Sequence, residues 1–418
     1  MNYAESLAYL TKLGNEVLTM KFGLDTIGRL VREMGDVHQA FSSVLVAGTN
    51  GKGSVARQIA SIAAAAGIRS GLYTSPHLIR INERIAVNGR DVPPEEFAAS
   101  LTAVVEAIER THPSIHPTFF ETVTATAMEY FARQAIELAV LEIGMGGRLD
   151  SCNVVDPLVS VITPIGLDHQ QYLGSTLTAI AREKAGILRS RVPAWSAEQL
   201  PEVRAALEEA AGTLDTRLNY VDRRDIEVLG EERGRYRFRM DGSVFRPGSS
   251  GICQVANGAL AIRAAQELAR QGLPIRKAHL QEGLAAAVTP GVLQEIQGDP
   301  PLLIDGVHNP QAAQNLAEFV DQHLPHPRAL VFGIMADKDA STVLRTLLPL
   351  FERVFFTRID SPRAELPETL RDRFCSRGEV VPEPLEAVRR AQADSAAVVV
   401  AGSFYLAGQL LEALENEG

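Results

Sequence analysis

Cysteine is scarce in this sequence. Its 418 residues hold three, Cys152, Cys253 and Cys375, widely spaced and odd in number. No Cys-x-x-Cys pair occurs, and no Cys/His cluster has zinc spacing. That argues against a disulfide-stapled fold and a structural zinc site, and fits buried thiols in a reducing compartment. Long apolar runs are lacking too: the longest uncharged one, Ile59 to Ile68, is about half of the ~20 residues that span a bilayer. The opening stretch carries Glu5 and Lys12 within an apolar pattern, which predicts an amphipathic helix rather than a secretory signal. A cytoplasmic protein with no membrane partner is expected. There is no block of like charge, no short repeat and no low-complexity tract. The net charge of −10, from 41 basic and 51 acidic side chains, disfavours a nucleic-acid partner but leaves room for small anions held by a local loop.

What the chain does have is apolar material, 46% of residues against 22% charged, enough for a sizeable core. Its length suggests two or three domains. Short β-branched runs alternate with Ala/Leu-rich helical stretches. Val44 to Ala47 reads as a strand that enters a glycine loop and then a helix from about Ser54 to Ala66. Leu138 to Ile143 and Val159 to Ile165 are further apolar runs, each ending at glycine. Continuous apolar strands separated by helices predict a parallel sheet covered on both faces. Around Asp225 to Leu229 and Arg235 to Met240 the pattern changes to short antiparallel strands, expected on the margin of the first domain. A helix is expected from about Ala256 to Gln271. Val288 to Pro301, with three Pro and two Gly, reads as a linker. Beyond it the strand–helix rhythm restarts at Leu302 to Ile304, Ala329 to Gly333, Val354 to Thr357 and Ala397 to Ala401. The expected fold class is α/β: a P-loop-type first domain over 1–288 with a mostly parallel sheet, a linker over 289–301, and a smaller Rossmann-like domain over 302–418.

The strongest local signal is Gly48-Thr49-Asn50-Gly51-Lys52-Gly53-Ser54, after a buried strand and at the start of a helix. Glycines let the backbone turn its N–H groups inward, the helix N-terminus favours anions, Lys52 can reach outer phosphates and a hydroxyl can approach magnesium. The spacing is shorter than G-x-x-x-x-G-K-[ST], so a plain Gly-rich strand–helix turn is the competing reading. Gly144-Met145-Gly146-Gly147-Arg148-Leu149-Asp150 looks like a dinucleotide fingerprint, but Leu149 stands where its third glycine belongs, which argues against a nicotinamide or flavin site.

Several side chains are open to two readings. Glu142, near the carboxyl end of an apolar strand, is either a magnesium ligand or the partner of an arginine such as Arg148. His169, in Gly166-Leu167-Asp168-His169, is a metal ligand or a loop histidine. Lys184, on a helix, is by default solvent-exposed. His112 and His116 flank prolines and read as loop residues. Asp305, in Asp305-Gly306-Val307-His308-Asn309-Pro310, could accept bonds from ribose or adenine; the alternative is an Asn309-Pro310 helix cap. Ala401 to Tyr405 forms a third strand-to-helix edge.

These pieces occur in a recognisable order. The chain resembles the folylpolyglutamate synthase/dihydrofolate synthase family, within the wider Mur ligase superfamily. The resemblance covers nearly the whole length, from Lys21-Phe22-Gly23-Leu24 to Gly402-Ser403-Phe404-Tyr405-Leu406. It rests on VAGTNGKGS (46–54), TSPHL (74–78), ERI (83–85), FFET (119–122), LEIGMGGRLDSCN (141–153), ITPIGLDH (162–169), LGSTL (173–177), EKAGI (183–187), DGVHNP (305–310) and DKD (337–339).

The resemblance implies an ATP- and Mg2+-dependent ligase that joins L-glutamate to a folate-type carboxylate, dihydropteroate or tetrahydrofolate, through an acyl phosphate. It implies that Thr49, Asn50, Gly51, Lys52, Gly53 and Ser54, with Asn257 and Asp305, bind the nucleotide, and that Ser75, Glu142 and His169 surround magnesium. Lys184 matches a lysine carried as a carbamate; Lys52, Lys184 and His169 would be catalytic. Thr118, Phe119, Phe120, Glu121, Leu149, Asp150 and Ser151 match segments near the pterin. His308 and Ser403 would face glutamate or the nucleotide. A monomer is implied.

Two positions depart from the family pattern. Pro290-Gly291-Val292 stands where Pro-Gly-Arg is usual, and Gly251-Ile252-Cys253-Gln254 where Gly-x-His-Gln is. Valine supplies neither charge nor hydrogen bonds; losing one charge-assisted contact costs about 1.5–3 kcal/mol. Arg263 or Arg328 are candidate substitutes. The departures also admit a paralogue acting on a non-folate carboxylate, or an ATP- or pterin-binding pseudoenzyme, although Lys52, Glu142, His169 and Lys184 are all present.

Overall fold

The computed structural model describes residues 1–14, 23–111 and 115–417. Lys21, Phe22 and His112 lie outside them. The predicted first helix is present as Tyr3–Lys12, opened by a capping box between Asn2 and Glu5. Among the described residues no helix is long and apolar enough to cross a membrane.

Two compact units form, and neither is continuous in sequence. The first comprises Met1–Ser75, Asn82–Ile226 and Ala256–Ala287. Its sheet has eight strands in the order Arg90–Asp91, Ile85–Val87, Ser70–Tyr73, Leu138–Glu142, Ser42–Ala47, Pro157–Ile162, Ala194–Ser196 and Leu218–Tyr220. The last six run parallel. Val44, Leu45, Val46, Val140, Val159 and Val161 are all fully buried, which is why these segments read as unbroken apolar runs rather than alternating ones. The register sets Val46 opposite Glu142 and Ala47 opposite Ile162. Three strands therefore end together, and Gly48, Ile143 and Thr163 begin loops on one edge. Ligands bind at this edge of parallel sheets.

The second unit comprises Pro76–Ile81, Glu227–Val255 and the chain from Val288 on. Its six strands lie in the order Gln294–Ile296, Leu302–Asp305, Ala397–Ala401, Arg328–Phe332, Arg353–Phe356 and Glu379–Val380, parallel except for the first pair. Alternate residues feed two cores: Leu303, Leu330, Phe332 and Val399 on one face, Leu302, Ile304, Val331, Val398 and Val400 on the other. Asp305, Ala401 and Phe332 share one register row, so the loops after them also open on one edge.

Two expectations change. The antiparallel strands Glu227–Glu232, Arg235–Met240 and Ser243–Phe245 exist, but they group with the second unit rather than on the margin of the first. Their hairpin turn seats Gly234 so close to Phe319 that an added side-chain carbon would lie 2.4 Å from its ring. The segment expected as a pure linker holds the edge strand Gln294–Ile296, paired antiparallel with Leu302–Ile304. Three residues among prolines and glycines give too little periodicity to reveal it.

Candidate active site

The loop after Ser42–Ala47 is shaped by its glycines. Gly48 has φ +145°, and a side-chain carbon there would fall 1.8 Å from Thr163 Oγ1. Gly51, at φ +82°, opens the helix Lys52–Ala65, and a side-chain carbon there would fall 2.6 Å from Asn257 Oδ1. Only glycine fits both the backbone and the space. Asn257, far away in sequence, is thus brought against the loop. Thr49 anchors the start of the loop. Its N–H donates to Pro164 O at 2.9 Å, while its hydroxyl bonds Gly166 O and Gly166 N, each at 3.0 Å. It ties the loop to the neighbouring strand end that carries Asp168 and His169.

Glu142 is 4% exposed and ends the central strand Leu138–Glu142. Its Oε2 accepts the Ser75 N–H at 3.1 Å, and a side-chain carbon on Gly53 would stand 3.3 Å from that oxygen. The carboxylate therefore lies at the lip of the glycine loop. Burial pushes its pKa up, and Lys52, the Ser75 N–H, Arg57 and Arg84 oppose that push. Arg148 is not its partner: Arg148 pairs with Glu183 at 2.9 Å. A buried carboxylate held this way fits a hard cation. Among the described residues no three His, Cys, Asp or Glu side chains make a ready cage. Phosphate oxygens and water would complete the sphere, the usual arrangement for Mg2+.

Lys184 contradicts the default reading of a helical lysine as exposed. It is 5% exposed on the helix Leu177–Ala185, and its Nζ donates to Gly48 O at 2.5 Å. Burial, then Lys52, lowers its pKa to about 7, against the pull of Asp168 and Asp150. Lys52 Nζ donates to Thr49 O at 3.2 Å, so both amines converge on the glycine loop. His169 sits in the left-handed region at φ 51°. Its N–H donates to Asp168 Oδ1 at 2.8 Å, and its ring lies 3.7 Å from the same carboxylate. Ser54 is buried in the first turn of the loop helix.

The residues matched to the pterin segments turn out to be strongly structural. Thr118 and Glu121 form a capping box on the helix Phe119–Arg133, with Glu121 Oε2 accepting the Thr118 N–H at 2.8 Å and its hydroxyl at 2.9 Å. Asp150 accepts the Met145 and Cys152 N–H groups, each at 3.0 Å, and braces the second glycine cluster. Burial raises its pKa to about 6. Phe120 and Ser151 are buried, Phe119 and Leu149 partly exposed. Sequence reasoning missed Arg84, which is 1% exposed, lies 5.5 Å from the centre of the Phe119 ring and adds positive potential at Glu142. The signal was only its place inside the ERI segment.

In the second unit Asp305 Oδ2 accepts the Leu293 N–H at 2.9 Å and Oδ1 the Val307 N–H at 2.8 Å. Asn309 caps the helix Pro310–His323 through Ala312 N at 3.0 Å, so the cap reading holds for that residue. His308 Nδ1 contacts Gly306 O at 2.9 Å, and its ring lies 5.9 Å from that of Phe404. Ser403, 4% exposed, accepts the Tyr405 N–H at 3.1 Å. A side chain on Gly251 would meet Leu293 Cδ1 at 2.4 Å, so the residue after Val292 packs against the turn carrying Cys253. The two arginines named as candidate substitutes have partners of their own. Arg263 is held in the first unit by Asp225 and Gln266 and lies over Trp195. Arg328 donates through Nε and Nη2 to the carbonyls of Leu324 and Asp321.

The glycine loop, on the ligand edge of a parallel sheet, falls within a segment that matches a Mur ligase family model, and the chain is an ATP-dependent ligase of the Mur type. Residues 46–196 match the Mur ligase middle domain and residues 292–404 the Mur ligase glutamate ligase domain. The chain is 32% identical to the folylpolyglutamate synthase of Lacticaseibacillus casei, covering 99% of both chains. It is 36% identical to the dihydrofolate synthase/folylpolyglutamate synthase of Bacillus subtilis, over 84% of this chain and 85% of that one. The structure of Escherichia coli FolC in complex with DHPP and ADP superposes with a TM-score of 0.88 at 30% identity, covering 100% of this chain and 98% of that one. The chain belongs to the folylpolyglutamate synthase/dihydrofolate synthase family.

Proposed function

We propose that this ligase joins the amino group of L-glutamate to the carboxylate of a folate-type acid, dihydropteroate or a tetrahydrofolate polyglutamate. The observation that carries the reading is the buried Glu142 carboxylate at the lip of the glycine loop, faced by Lys52. In the first step a substrate carboxylate oxygen attacks the γ-phosphorus of ATP, the bond to the bridging oxygen breaks and ADP leaves. In the second the glutamate amine attacks the acyl carbon, loses a proton, and phosphate departs. A carboxylate is a poor electrophile, so activation is the purpose of the ATP.

Loop N–H groups, the helix N-terminus and Lys52 would stabilise charge on the transferring phosphoryl group. Glu142, His169 and Ser75 would hold Mg2+, which supplies further positive charge at the phosphates. Lys184, with its pKa lowered to about 7, presents a share of neutral amine at physiological pH, the form that combines with CO2 to give a carbamate. Asn257 and Asp305 would meet the nucleoside, the Phe119–Phe120 and Leu149–Ser151 segments the pterin, and His308 with Ser403 the incoming glutamate. The enzyme works as a cytoplasmic monomer.

Mass spectrometry of the product tests the reading. With ATP, Mg2+ and L-glutamate, the acceptor acid gains one glutamyl residue, and whichever of the two acids reacts names the preference. If neither gains mass while a non-folate acid does, the folate assignment fails.

A further inference from the structure

One buried polar group of the first unit has no assigned task. Thr163 is fully buried at the end of the strand Pro157–Ile162, and its hydroxyl oxygen is inaccessible to solvent and has no hydrogen-bond partner among the described residues. Leaving such a hydroxyl unsatisfied is costly, so a hydroxyl held there needs an explanation. Valine would fill nearly the same space without the polar atom.

The surroundings supply one. The hydroxyl presses on Gly48, whose place for a side-chain carbon lies 1.8 Å from Thr163 Oγ1. The carbonyl of the same Gly48 receives the Lys184 ammonium at 2.5 Å. Two buried side chains thus converge on one peptide, one an amine and the other a hydroxyl. The Lys184 ammonium has no lone pair with which to accept the hydroxyl proton, whereas a carboxylate built on the amine would carry oxygens that can.

We propose that Thr163 is a positioning residue whose hydroxyl donates to the carbamate formed on Lys184. This rests on the carbamylation reading above. The step balances without an oxidant or reductant: the lone pair of the neutral Nζ attacks the carbon of CO2, one C=O pair moves to oxygen, and Nζ releases a proton to water. The product carries a negative charge among Lys52, Asp168 and Asp150, so it gains from Lys52, is opposed by the two carboxylates, and requires a donor. Thr163 is that donor.

The test is 13C NMR of the full chain in 13C-bicarbonate, following the labelled carbamate in wild type, T163V and T163S. The expected result is a carbamate signal in wild type and T163S. T163V should need roughly ten- to a hundredfold more bicarbonate for the same labelling, the loss of one bond to a charged group. Wild-type labelling in a folded T163V overturns the role of Thr163 alone. Absence of the signal from wild type overturns the carbamylation itself, and this role with it. Should T163V fail to fold, T163S decides through the matched retention of the signal and T163A through its loss.

Discussion

Glu142 and Asp305 occupy equivalent places in the two units and do different work. Each is the last residue of a buried parallel strand, and burial raises the pKa of each. The charge of Glu142 is countered first by the Lys52 ammonium, with Arg57 and Arg84 behind it. That of Asp305 is countered by two backbone N–H groups, one on each oxygen. Side-chain cations can rearrange around a ligand, whereas backbone donors hold a loop in place. The first unit therefore presents a charge poised for chemistry, and the second a carboxylate that staples the turn in which Gly291 to Leu293 and Val307 meet. Burial of a carboxylate at a ligand edge does not by itself say which of the two it is; the kind of partner does.

The largest effect should come from breaking the first arrangement. Glu142→Ala and Lys184→Ala should each lower turnover by about 10²–10³ or more with the far-UV dichroism of the wild type retained. Near-normal turnover in either would remove the proposed site. Next in size is Gly51→Ala, which meets both the left-handed backbone and Asn257; the ATP KM should rise roughly tenfold from strain of about 1–2 kcal/mol.

The second arrangement should show itself in stability. The Asp305 carboxyl is raised to about 6 in the fold against 3.8 as its ordinary value. Between those two values the folded form holds a proton that the unfolded form has lost, so wild-type stability falls as pH rises through this window. Asp305→Asn should carry a constant penalty for its lost acceptor but lack that decline. In urea titrations the difference between the two should narrow, by up to about 3 kcal/mol, from pH 4 to pH 7. A difference that stays constant would mean the carboxylate is not held as described. The smallest effect is expected of Val292→Arg, which should lower the ATP KM by roughly tenfold if the turn still faces the nucleotide; an unchanged KM would show that this chain binds ATP without help from that position.

Much of this was legible beforehand, and the reasons for the rest are physical. The central strands could be read because burial on both faces makes them continuous apolar runs. The glycine loop could be read because strand, loop and helix follow one another without interruption. Lys184 carried a signal that a lone-lysine argument overlooks: it lies four residues after Ile180 and three after Ala181, on the buried face of its helix. Thr118-x-x-Glu121 is a capping-box spacing, so its structural role was readable in the local sequence. The pairing of the hairpin strands with Phe319 was not, since about 80 residues separate Gly234 from that helix. Thr163 was invisible because a threonine is ordinary in a strand, and only the lack of a partner marks it.

The most direct test of the account is ADP release with ATP, Mg2+ and L-glutamate, using an acceptor acid labelled with 18O in its carboxylate. Release should require both glutamate and the pterin acid, with one 18O carried into the phosphate. Release that ignores the acceptor, or phosphate that contains no label, would contradict activation of a folate-type carboxylate as its acyl phosphate.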